Sequence, residues 1–163
     1  MPTTDQVPNY GLWLQSGAIV LSFIGVIIGV VVSRRIARRR ATLDMIMMEQ
    51  TNDFLLQTRR DFLQLRDAGN LVQWADPAKT ATAETTVLRA TLNRYELIAI
   101  GVEESTLDER VYREYHRTTL VRDWIAFKPF IIRRRENTHT PTYYCKFEAL
   151  AKKWAKASEL DQC

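Results

Sequence analysis

The sequence predicts an all-α protein: one N-terminal transmembrane helix followed by a compact cytoplasmic helical domain of five to seven helices. Three observations predict it. Residues 11–32 form an uncharged apolar run of 22 residues, five arginines crowd the seven positions after Ser33, and the rest of the chain repeats apolar residues at helical spacing with no strand-like alternation. Of 163 residues, the first 33 contain no Lys or Arg and one acid, Asp5. All 23 basic residues lie from Arg34 onward, and beyond Arg40 bases and acids number 18 each. The pI of about 9.2 therefore describes the arginine cluster. A near-neutral domain removes the domain-wide electrostatic case for nucleic acid, which is not an expected partner.

In chain order, residues 1–10 read as a periplasmic tail, 11–33 as the transmembrane helix, 34–40 as a basic juxtamembrane segment, 41–159 as the helical cytoplasmic domain and 160–163 as a C-terminal tail. A 22-residue helix spans roughly 33 Å, close to the hydrocarbon thickness of about 30 Å. Tyr10 and Trp13 stand at its N-terminal edge, where amphipathic rings prefer the interface. A cleaved signal peptide would carry its basic residues before the apolar run, and here they follow it. The lipid bilayer is thus the first expected partner. Arg34, Arg35, Arg38, Arg39 and Arg40 keep their side cytoplasmic and are expected to meet anionic lipid headgroups. In a bacterium that places the protein in the inner membrane with its N-terminus outside. Gly11, Gln15, Ala18, Ser22, Gly25 and Gly29 alternate by four and three, so they share one stripe of the helix. Gly25 and Gly29 form a GxxxG, and Gln15 can hydrogen-bond across a contact, so self-association through this stripe is expected.

The helix continues past Arg34 through Leu43, Ile46, Met47 and Gln50. Asn52 or Asp53 caps the next helix, which should bury Phe54, Leu55, Phe62 and Leu65 and stop at Asp67-Ala68-Gly69-Asn70. Residues 69–82 are irregular, with Ala75-Asp76-Pro77 a turn after Trp74. The clearest helix covers about residues 83–104, with Leu88, Leu92, Tyr95, Ile98 and Val102 on one stripe. Leu97-Ile98-Ala99-Ile100 is apolar nearly all round, which predicts burial on several sides. Thr106-Leu107-Asp108-Glu109 has the form of a capping box, opening a helix with Val111, Tyr112, Tyr115 and Thr119. Trp124, Ile125, Phe127, Phe130 and Ile131 continue the apolar content. Pro129 must kink that helix or open a new one. Residues 136–141 read as a polar loop, and the last helix covers about residues 142–159, burying Phe147, Leu150, Ala151 and Trp154.

Ala41-Thr42-Leu43-Asp44, Asn93-Arg94-Tyr95-Glu96-Leu97-Ile98-Ala99-Ile100-Gly101 and Val121-Arg122-Asp123-Trp124 resemble a bacterial family catalogued as a domain of unknown function, number four thousand seven hundred and sixty. The resemblance covers about residues 20–155, and its motifs are hydrophobic and helical. It implies a small bacterial membrane protein and supplies no site to transfer.

The chain has no P-loop, GxGxxG, HExxH, GxSxG or CxxC. Cys145 and Cys163 with two distant histidines lack ligand spacing, so no metal site is expected, and no cofactor. Glu103-Glu104 and Asp108-Glu109 read as helix-end charges rather than ligands. Arg133-Arg134-Arg135 reads as a solvated helix end, with Asp123 or Glu136 as ion partners and lipid headgroups as the alternative contact. No catalytic residue is assigned. The alternative draws on Arg110 with His116 and Arg134 with His139, which fit the loose spacing of small helical ribonucleases, where His and Arg would activate a ribose hydroxyl and steady a phosphate. The leading expectation is a non-enzymatic interaction module with an unknown cytoplasmic protein partner, and self-association through the anchor. A membrane-tethered ribonuclease-like effector, or a membrane-perturbing effector driven by anchor association, are the alternatives.

Overall fold

A computed structural model describes residues 10–160, with side chains described for 15–159. The N-terminal tail, the side chains of Tyr10, Gly11 and Trp13, and the C-terminal residues with Cys163 lie outside the described residues. Among the described residues there are six α-helices and no strand: α1 (Tyr10–Thr51), α2 (Asp53–Asp67), α3 (Ala83–Glu103), α4 (Glu109–Thr138), α5 (Cys145–Trp154) and α6 (Ala157–Leu160). Two 3₁₀ turns, Leu71–Ala75 and Pro77–Lys79, join α2 to α3. The chain divides into two units, Met1–Ala37 and Arg38–Cys163.

The first unit holds one helical segment long and apolar enough to cross a membrane, with an 18-residue window of mean hydropathy 2.4 and none of it buried. Every described side chain from 15 to 37 is exposed. Nothing lies within 4 Å of a Cβ built on Gly25 or Gly29. Ser22 Oγ donates to the Ala18 carbonyl at 2.9 Å, so the hydroxyl is satisfied inside its own helix.

The second unit is the helical domain. Asn52 caps α2 by accepting from the Leu55 N–H, and Gly69 (φ +74°) with Asn70 (φ +55°) ends it in left-handed backbone. On α3 the stripe Leu88, Leu92, Tyr95, Ile98 and Val102 is buried as the spacing predicts. It packs against α2 and α5, while α4 packs against the first 3₁₀ turn and α5. Aromatic side chains fill the centre: Phe62 stacks on Phe127, Phe147 stacks on Tyr95, and Trp124 meets Phe147 edge-on. The last-helix residues Phe147, Leu150, Ala151 and Trp154 are all buried.

Several local expectations are corrected. Phe54 is 70% exposed and only Phe62 of its group is fully buried, with Leu55 and Leu65 half-buried. On α3, Leu97 is 66% exposed and Ile100 is exposed too, because the neighbours of that helix cover only its Leu88–Val102 stripe. The capping box does not form. Asp108, not Thr106, caps α4 by accepting from the Arg110 and Val111 N–H groups, while Thr106 Oγ1 donates back to the Gly101 carbonyl. Pro129 lies inside α4 and opens no new helix. Residues 136–138 belong to α4, whose end is His139 in left-handed backbone. The last helix is two pieces, broken where Ala155 turns extended.

Candidate functional site

Some polar side chains of the domain hold helices together, and others are left open at one corner. Asp123 is the clearest of the first kind. Its side chain is fully buried on α4. One carboxylate oxygen receives Arg66 at 3.0 Å, and the other receives Arg59 and the Tyr95 hydroxyl, the latter at 2.7 Å. A buried carboxylate is tolerated because three donors replace water. Burial pushes the Tyr95 phenol up, and the Asp123 charge adds to it. For Arg59, burial works to lower the value, but Tyr95 and Asp123 together hold the guanidinium above its usual range. This cluster ties α2, α3 and α4.

Glu49 plays the same part for α1. It is buried, accepts from the Tyr112 hydroxyl at 3.3 Å, and faces His116 Nε2 at 3.0 Å and Arg94 Nε at 3.9 Å. The His116 ring also stacks on Tyr112. Burial, then the Glu49 charge, raise the Tyr112 phenol well above its ordinary range. Glu96 on α3 accepts from the N–H groups of Lys146 and Phe147, capping α5 from outside its own chain segment. Arg117 donates to the Trp154 carbonyl at the other end of α5 and pairs with Glu159.

The arginine run of α4 is part of this scaffolding, not a solvated end. Arg134 is buried and reaches Thr80, and Arg135 donates to the Tyr143 carbonyl and pairs with Glu148 at 2.8 Å. Only Arg133 is exposed, beside Glu136. Asp123 pairs with Arg59 and Arg66 instead of the run. Of the ribonuclease-like set, His116 faces Glu49 rather than Arg110, and His139 is an exposed helix cap. The two histidines lie 23 positions apart on one helix, about 35 Å at 1.5 Å per residue. The structure therefore does not bring them together. Glu103 pairs with Lys146 at 2.6 Å.

The open corner lies where α3 gives way to α4. Ser105 adopts φ +55°, and the Thr106 and Leu107 N–H groups both return to the Gly101 carbonyl at 2.9 Å. Leu107 covers Gly101 so closely that a Cβ there would meet Leu107 Cδ1 at 2.7 Å, so any larger residue would have to displace the Leu107 side chain. Thr42 accepts from the Asp108 N–H at 2.8 Å and donates to the Arg38 carbonyl, and Arg39 Nε reaches Asp108 at 3.3 Å. Burial opposes the Asp108 charge, but the Val111 N–H, Arg39 and the Arg110 N–H hold its carboxyl below the usual range. Glu109 is likewise held low, against burial, by Lys153 and by the Trp154 indole N–H.

Behind this corner is a cleft of about 760 Å³ within the domain, lined by Arg38, Arg110, Arg113, Arg117 and Lys153 with Asp108, Glu109 and Glu114. Arg117 pairs with Glu159, and Lys153 with Glu109. The side chains of Arg38, Arg110 and Arg113 form no ion pair or hydrogen bond with another described side chain, and Arg113 feels the Glu109 charge only at longer range. Beside the cleft runs an apolar groove of about 510 Å³ lined by Leu43, Ile46, Val111 and Tyr115, and Arg110 and Glu114 line both. Sequence reasoning singled out Arg38 and Arg110 for other reasons and missed Arg113. Its signal was the spacing Arg110, Arg113, Arg117, which places three cations on one face of a helix.

Of the juxtamembrane set, Arg34, Arg35 and Arg40 are exposed, Arg38 enters the cleft and Arg39 is engaged with Asp108. A family model described as a domain of unknown function (DUF4760) matches residues 15–154. No curated protein and no solved structure matches.

Proposed function

The chain belongs to the family of the domain of unknown function DUF4760, and on that footing we propose that it is a single-pass membrane protein presenting a non-enzymatic helical binding domain. The observation that carries this reading is the apolar segment itself. It is wholly exposed, averages 2.4 in hydropathy over 18 residues, and is followed at once by five arginines. An uncovered surface of that kind is stable against lipid or another such helix, and not in water. The arginines set the N-terminus outside and the domain on the cytoplasmic side, in a bacterial inner membrane. The open faces of Gly25 and Gly29 support association with a second copy, although Ser22 offers its hydroxyl to its own helix. A cytoplasmic protein is the further partner. Exposed Met47, Leu97 and Ile100 are the kind of apolar side chains such a contact would cover.

Lysine crosslinking with mass spectrometry in intact host membranes tests this. Reproducible crosslinks from Lys79, Lys128 or Lys152 to one other protein are the expected outcome, together with retention of the chain after alkaline extraction. A chain released by alkali, or one linked to no neighbour, overturns the reading.

A further inference from the structure

Three guanidinium groups without a partner side chain open into one cleft, and an apolar groove adjoins it. Arg38 comes from α1, and Arg110 and Arg113 from the first turns of α4. Three cations face a single uncommitted acid, Glu114, so the cleft is left net positive, and an anion seated among the guanidinium groups relieves their repulsion. Planar guanidinium forks suit phosphate oxygens in particular. The acids of the cleft offset them only in part. Asp108 is engaged with Arg39 and two N–H groups, and Glu109 with Lys153 and Trp154. Glu114 alone is uncommitted, and it can accept a hydroxyl. The volume, about 760 Å³, lies within the range of about 300–1,000 Å³ typical of ligand sites.

The groove indicates what bears the phosphate. Leu43, Ile46, Val111 and Tyr115 line it, and Arg110 and Glu114 belong to both cavities, so the polar and apolar spaces are two sides of one wall. A soluble phosphate ester would fill only the first. We propose that this corner binds an anionic phospholipid, with its phosphate among Arg38, Arg110 and Arg113, a headgroup hydroxyl on Glu114, and an acyl chain along the groove. The choice of lipid rests also on the membrane-anchored reading.

The test uses the full chain in vesicles of phosphatidylcholine alone or with phosphatidylglycerol added. Phenylglyoxal modification rates at single arginines are read by mass spectrometry, with Arg133 as internal reference. Phosphatidylglycerol should slow Arg38, Arg110 and Arg113 by about fivefold relative to phosphatidylcholine vesicles. Arg113→Gln should reduce the protection of Arg38 and Arg110 and leave that of Arg34 and Arg35 unchanged. Equal rates in the two vesicles overturn the proposal. So does protection by inorganic phosphate in phosphatidylcholine vesicles, which would make the ligand a free anion. Release of the chain by alkali overturns the anchor and not the cleft, because the same rates are then read with short-chain phosphatidylglycerol in solution.

Discussion

Asp123 shows how much a single charged side chain can determine here. Its oxygens take Arg59, Arg66 and Tyr95, from α2 and α3. Replacing Asp123 with Ala leaves two guanidinium groups facing each other in a poorly solvated space. Breaking such a buried pair costs about 3–5 kcal/mol, a large share of the roughly 5–15 kcal/mol that holds a domain folded. Denaturant unfolding of Asp123→Ala should show that loss. The sequence displayed Asp123 as an acid near an arginine run, and local reading offered it to Arg133–Arg135. Its partners stand 57 and 64 positions upstream. A list of charges does not carry pairing across that distance, since helix packing, not spacing, brings them together. His116 repeats the lesson, because Glu49, 67 positions away, faces it rather than Arg110.

At the scale of elements, helix bodies were legible and some helix ends were not. The α3 stripe follows directly from spacings of three and four, and Asn52 and Gly69-Asn70 mark their boundaries by local chemistry. At Thr106 two local signals compete, and the wrap over Gly101 decides in favour of Asp108. The break after Trp154 has no Gly or Pro to announce it, and Arg117 supplies the termination from α4. Leu97 and Ile100 are exposed within an apolar run because such a run records composition, not which neighbours exist. The start of α5 is also stabilised from outside. Tyr144 gives no side-chain cap, and Glu96 provides it from α3. Glu96→Ala should therefore cost about 1 kcal/mol. Hydrogen exchange should quicken first at the amides of residues 146–150.

For the whole molecule, carboxylates set the response to acid. Asp108, Glu109 and Glu148 are all held below their ordinary range, each against burial: Asp108 by N–H groups and Arg39, Glu109 by Lys153 and Trp154, Glu148 by Lys152 and Arg135. A depressed folded value means stability that is fully present above the unfolded value, about 4, and lost as pH falls through the folded one. The melting temperature of the detergent-solubilised chain should stay flat from neutral pH to about 5 and fall below about 4. Glu109→Gln should make that fall shallower.

Thr42 meets the Asp108 N–H across 66 positions, and Glu49 meets Tyr112 across 63. Ribosomes add about 5–20 residues per second, so roughly 3–13 s separate the synthesis of these partners. Throughout that interval the apolar segment has already been made, and the residues that will bury Thr42, Ile46 and Glu49 have not. Closure of the domain over this stretch of α1 therefore waits on the synthesis of α4.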